Sequence, residues 1–229
     1  MNSAIIVAAG LGNRFKSSIP KQFIKLNNKE ILSFSVSTFY NHPNINEVII
    51  VTNKHWLEHV KKRYPKCKIT LGGKYRKDST INGLNVVSKN VKNVLIHDAA
   101  RPLISQKIIS ECLKQLEISD ATAPILDSSD SLIRIDHDQI KQLNRTHIKA
   151  VQTPQCFKLE KIKTVLSKNI NGTDEIGMML KVFPSCKINF VKGSIENLKI
   201  TTKDDLKIIE SLIIWKFYSF FNMIALSKL

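Results

Sequence analysis

The chain has 229 residues, with 35 Lys and Arg against 19 Asp and Glu, a formal charge of +16 at pH 7 and 43% hydrophobic residues. That length suits one well-buried α/β domain, and the apolar content excludes a disordered chain. Lysines occur throughout rather than in one run, with no arginine-rich arm, zinc-finger spacing or aromatic RNA-binding stretch. Solvated surface charge and a phosphate-rich site therefore both rank ahead of nucleic-acid binding.

The start, MNSAIIVAAG, has no basic leader and ends its apolar run in glycine, so it reads as a strand rather than a signal peptide. Four cysteines lie far apart with no CxxC pair, which fits reduced thiols and a cytoplasmic protein. Short β-branched runs follow at SAIIVAA, NEVIIVT, CKITLGG, NVLIHDAA and ATAPIL. Continuous apolar runs of this length suit parallel strands covered on both faces. Between them, EILSFSVSTFYNH, KHWLEHVKKRY, STINGLNVVSKN and SQKIISECLKQLE carry helical spacing. The alternation predicts a single Rossmann-like α/β domain, 1–229, with a mostly parallel, doubly wound sheet.

In such sheets ligands sit at the carboxyl ends of the strands. The loops after Ala9, after Leu71 and around Asp98 are then expected to share one cleft. From Asp130 onward the pattern changes. SLIRIDHDQIKQLNR alternates like two half-exposed strands joined by the polar turn DHD. It predicts a protruding β-hairpin arm over about 130–146 and, through that arm, a homodimer. The tail, SLIIWKFYSFFNMIALSKL, is apolar but interrupted by Lys216. A helix over about 204–229 packed on the core or a second subunit is expected there, with no membrane involved.

Residues 8–23, AAGLGNRFKSSIPKQF, fit neither the P-loop pattern nor the dinucleotide fingerprint, since Phe15 stands where the third glycine belongs. Gly10 and Gly12 let backbone N–H groups approach an anion, while Arg14 and Lys21 bring cations to the same mouth. That combination suits a chain of phosphates. A second glycine pair opens GGKYRKDSTINGL (72–84), where Ser79 is expected at a helix start. The strand VLIHDAARP then delivers Asp98 and Arg101. A carboxylate at a phosphate site has a cation to hold, which makes Asp98 a candidate Mg²⁺ ligand.

Taken together, AAGLGNRFKSSIPKQF, GGKYRKDSTINGL, VLIHDAARPLI, QTPQCF, TDE and VKGSIENLKIT resemble, in order and spacing, the 2-C-methyl-D-erythritol 4-phosphate cytidylyltransferase family. The resemblance runs from about Ala4 to Leu206. It implies a GT-A-like nucleotidyltransferase that joins CTP and a polyol phosphate with Mg²⁺ or another divalent cation and releases pyrophosphate. Ala8, Ala9, Gly10, Gly12, Gly73 and Ser79 would frame the nucleotide. Arg14, Lys21 and Lys199 would be catalytic, and Asp98 and Arg101 would sit between metal and substrate. Thr153, Arg145 and Ser131 would bind the sugar phosphate, with Arg145 reaching in from the partner's arm. In the family's Asp-Thr or Asp-Ser step, Asp130-Ser131 is favoured over Asp127-Ser128, so that Ser131 replaces the usual threonine; Leu180 stands where a second acid usually follows the TDE motif, whose Asp174 and Glu175 are expected to be structural. His97 is expected to be a structural neighbour. Ribitol 5-phosphate cytidylyltransferases share the nucleotide motifs and are the nearest alternative; a basic nucleic-acid-binding protein on the same scaffold is a more distant one.

Overall fold

The computed structural model describes residues 1–226 apart from 11, 13, 14, 16, 138 and 169. In chain order the elements are β1 (Asn2–Val7), a 3₁₀ turn at Lys21–Phe23, β2 (Lys25–Leu26), β3 (Lys29–Glu30), α1 (Ile31–Tyr40), β4 (Glu47–Thr52), α2 (Leu57–Arg63), β5 (Lys68–Leu71), α3 (Arg76–Asn85), β6 (Asn93–Asp98) and α4 (Gln106–Glu117). Then come β7 (Ala121–Asp127), β8 (Leu132–Asp136), β9 (Gln139–Leu143), β10 (Lys149–Val151), β11 (Gln155–Lys158), α5 (Leu159–Ser167), α6 (Glu175–Val182), β12 (Ile188–Lys192) and α7 (Lys203–Leu226).

The main sheet runs β10-β7-β11-β6-β1-β4-β5, with β12 also paired to β7. Strands β5, β4, β1 and β6 are mutually parallel, and β12 is parallel to β7. The expected mostly parallel sheet is present, but β11, the QTPQCF segment, enters antiparallel between β6 and β7. Strand β11 is four residues long with only two apolar ones, Cys156 and Phe157, too short for periodicity to announce a strand.

Alternation along each strand explains the unbroken apolar runs. Ala4, Ile6, Val48, Ile50 and Leu95 face one core with Leu32, Val36 and Phe39 of α1 and Ile109, Cys112 and Leu116 of α4. Ile5, Ile49, Val51, Val94 and Ile96 face the other with Leu84 of α3 and Ile162 and Val165 of α5. Fully burying one such side chain contributes about 1.5–3 kcal/mol, so both faces must be covered.

Helix α3 begins at Arg76, three residues before the expected start at Ser79. The reason is local: the Asp78 carboxylate accepts from the Tyr75 N–H at 2.9 Å and caps the turn ahead of Ser79. The arm is a two-stranded hairpin in which Asp136 still pairs with Gln139, so the turn is tighter than the three residues of DHD. Helix α7 lays Leu206, Ile209, Leu212 and Ile213 against Phe15, Leu26, Ile31 and Ile200. Beyond that contact Ile214, Trp215 and Tyr218 are exposed. No helix among the described residues is long and apolar enough to cross a membrane.

Candidate active site

The chain leaves β1 for β4 on one side, and β6 returns to the other side of β1. This reversal opens a crevice at the carboxyl ends of the strands, where open α/β sheets take their ligands. A cleft of about 610 Å³ lies there, lined by Ala8, Ala9, Gly10 and Gly12 after β1, Asn53 after β4, Gly73 to Arg76 and Ser79 after β5, Asp98 to Ala100 after β6, and Lys21, Gln22, Lys199 and Thr201. The three loops expected to converge do so. Its volume suits a nucleotide-sized ligand.

Each wall has a local cause. A Cβ on Gly72 would stand 2.2 Å from the Ala9 Cβ, so only glycine lets the β1 and β5 loops meet at the cleft floor. Ser79 does not cap its helix; its hydroxyl accepts from the Gly73 N–H at 3.2 Å and holds that loop instead. The buried Gln22 amide donates to the carbonyls of Ala8 (2.6 Å) and Gly10 (2.9 Å). Those carbonyls are satisfied from behind, and Gly12 turns the chain onward with a φ of +71°.

Cations converge from opposite elements. Lys21 Nζ donates to the Ile200 carbonyl at 2.5 Å, which brings it beside Lys199. Lys199 Nζ lies 2.7 Å from Asp98 Oδ2, and Asp98 Oδ1 accepts from Nε and Nη2 of Arg76, each at 3.2 Å. Arg101 stands farther off, 3.9 Å from Asp98 Oδ2, with its buried Nε unpartnered and its Nη1 donating to the Asn197 carbonyl at 2.8 Å. Arg101 thus makes the weakest of the three side-chain contacts to that carboxylate. Burial drives the Asp98 pKa up, but Arg76, Lys199 and Arg101 outweigh it and hold the carboxyl well below its usual range.

Behind Asp98, Thr153 is 4% exposed and its hydroxyl is already engaged. It accepts from the Asp98 N–H and faces His97 Nδ1, both at 3.1 Å. His97 Nε2 faces the Arg101 carbonyl at 3.0 Å, which can only accept. The proton therefore sits on Nε2, and Thr153 donates to Nδ1. Thr153 thus orients Asp98 through its N–H. His97 is wholly buried, and burial lowers its pKa to about 4.

Arg14, expected at the triphosphate, lies outside the described residues. Ser131 and Arg145 are not in the cleft of this chain. They line a separate depression on the arm with Gln142, Leu143 and Asn144. Leu180 is 47% exposed on α6. The TDE residues are structural at one level: Asp174 caps α6 through the Gly177 N–H (2.9 Å) and accepts from Gln155 Nε2 (2.8 Å). Residue reasoning missed Arg76 and Gln22, and gave Glu175 only a structural role. Arg76 was legible only as a cation beside a glycine pair, and Glu175 gave no signal of its partner.

The chain matches the family model described as 2-C-methyl-D-erythritol 4-phosphate cytidylyltransferase over residues 2–214. A protein of that name from Clostridioides difficile is 36% identical over 224 residues, covering 93% of this chain and 94% of its own. A bifunctional ribulose 5-phosphate reductase/CDP-ribitol pyrophosphorylase from Haemophilus influenzae is 33% identical over 226 residues, covering 92% of this chain and 48% of that protein. The solved 4-diphosphocytidyl-2C-methyl-D-erythritol synthase of Anaerococcus prevotii superposes with a TM-score of 0.83 at 26% identity, covering 93% of this chain and 95% of that one. The chain belongs to the 2-C-methyl-D-erythritol 4-phosphate cytidylyltransferase family of nucleotidyltransferases.

Proposed function

We infer that the protein transfers a cytidylyl group from CTP to 2-C-methyl-D-erythritol 4-phosphate and releases pyrophosphate. One observation carries the reading beyond family membership. Among the described residues the cleft gathers Lys21, Lys74, Arg76 and Lys199 against one acid, Asp98, around a glycine-bounded floor. Such a site favours a polyphosphate and stabilises charge on a five-coordinate phosphorus by preorganised donors.

The attacking group is a phosphate monoester oxygen, already anionic at neutral pH, so no side chain has to remove a proton. His97 fits that chemistry by staying neutral and hydrogen-bonded on both nitrogens. Lys21 and Lys199 are placed to draw the two anions together and to balance the charge that grows on the α-phosphate. Arg14 is assigned to the same task by its place in the motif. Arg101 is assigned to the polyol phosphate by its place in the motif, one turn of chain from Asp98.

Mg²⁺ fits as a cofactor shared with substrate. Among the described residues no group of three or more His, Cys, Asp or Glu could hold a metal alone. Asp98 offers the one hard carboxylate that Mg²⁺ takes beside substrate phosphates, with Lys199, 37% exposed, as the partner able to move aside. When bound, the ion would neutralise triphosphate charge. A homodimer is the reading for the arm, whose Ile133, Ile135 and Ile140 are 58%, 62% and 72% exposed. A second copy covering them would bring Arg145 and Ser131 to its neighbour's cleft.

The H. influenzae likeness favours ribitol 5-phosphate as the second reading. Pyrophosphate release from CTP with each polyol phosphate, using ATP, GTP and UTP as controls, separates the two. Turnover confined to CTP with methylerythritol phosphate is expected; preference for ribitol phosphate moves the assignment, and no turnover from folded protein overturns both.

A further inference from the structure

Glu175 is fully buried, yet its carboxylate is one contact removed from the cleft. Both of its oxygens accept from Arg76 Nη1 at 2.5 Å, and Oε1 also accepts from the Thr80 hydroxyl at 2.8 Å. The other edge of the same guanidinium, Nε and Nη2, rests on Asp98 Oδ1. One planar cation joins a carboxylate sealed in the interior to the carboxylate of the cleft floor.

The arrangement has a physical consequence. An arginine at the edge of a polyphosphate site, paired on one side only, could leave Asp98 and fork onto a phosphate. Here both edges are held, and the interior end is anchored on the first turn of α6, which Asp174 caps. We propose that Glu175 is a positioning residue that holds Arg76 against Asp98 Oδ1, so that Asp98 presents Oδ2 toward Lys199 and the cleft. A guanidinium is required, because an ammonium is a point charge and cannot span both carboxylates.

This rests on the cytidylyltransferase reading. Its test is steady-state pyrophosphate release by the full-length protein, comparing wild type, E175Q, R76Q and the double variant, with melting temperature measured on each. E175Q is expected to lower kcat about tenfold while moving the KM for CTP less than about threefold, since the nucleotide-framing loops are elsewhere. In the R76Q background the same substitution is expected to change kcat little, because Glu175 acts only through Arg76. A folded E175Q with wild-type kcat and a lower melting temperature overturns the proposal in favour of a plain tie between α3 and α6. An undiminished E175Q loss in the R76Q background overturns it as well. E175Q breaks a buried ion pair while leaving Arg76 on Asp98 alone, so the variant could fail to fold. R76K then decides: it keeps a counter-charge for Glu175 but cannot bridge, and about a tenfold loss in kcat is expected, whereas wild-type kcat overturns the proposal. Wild-type protein inactive with CTP sinks the functional reading and this one together; active wild type with unaltered E175Q and R76K sinks only this one.

Discussion

At the scale of single residues, the site works by fixing charge. Lys21 is tethered to the carbonyl of Ile200 at the cleft mouth. Lys21→Ala is expected to lower kcat by about 10² to 10³ with the fold intact, the usual loss for one preorganised donor. Activity close to wild type in a folded variant contradicts the role. His97 makes a different kind of contribution. Its pKa falls from 6.5 unfolded to about 4 folded, so its stability contribution is complete above about pH 6.5 and is lost as pH falls toward 4. The amount is about 3 kcal/mol over that window. Urea midpoints measured at pH 8 and pH 5 should fall for wild type and fall less for His97→Gln; equal falls contradict the assignment.

At the scale of elements, the loops after parallel strands were legible because glycine, proline and short apolar runs are local signals. Gly10, Gly73, Lys21 and Asp98 could be named from that pattern, and one cleft contains them all. The start of α3 was not legible, because the Asp78 cap competes with a serine that looks like a better one. Nor was β11, whose antiparallel entry is decided by its neighbours on both sides. The arm supplies the test at this scale. If Arg145 serves a second copy's cleft, Arg145→Ala and Lys21→Ala chains are each inactive. Mixing and refolding them together should restore about a quarter of wild-type activity, since half the dimers are mixed and each has one complete site. No recovery from a mixture shown to be dimeric excludes Arg145 action in trans.

At the scale of the whole molecule, the described contacts of α7 with the core end at Ile213, close to residue 214 where the family match stops. Beyond it, Trp215 is 61% exposed, and Lys216 reaches Glu196 in a surface pair of little energetic weight. Lys216→Ala, which removes that surface pair, is expected to leave kcat unchanged and to alter stability by no more than about 0.5 kcal/mol. A large loss in either shows that the pair ties the helix to the enzyme's working fold. By itself the sequence determined the α/β class, the positions of the phosphate loops and the cations at their mouths, because each rests on residues close together in the chain. Only the tertiary structure decided what Asp98 touches. Arg76 and Glu175 are separated by 99 positions, and a contact of that range leaves no periodicity, spacing or turn signal from which it could be read.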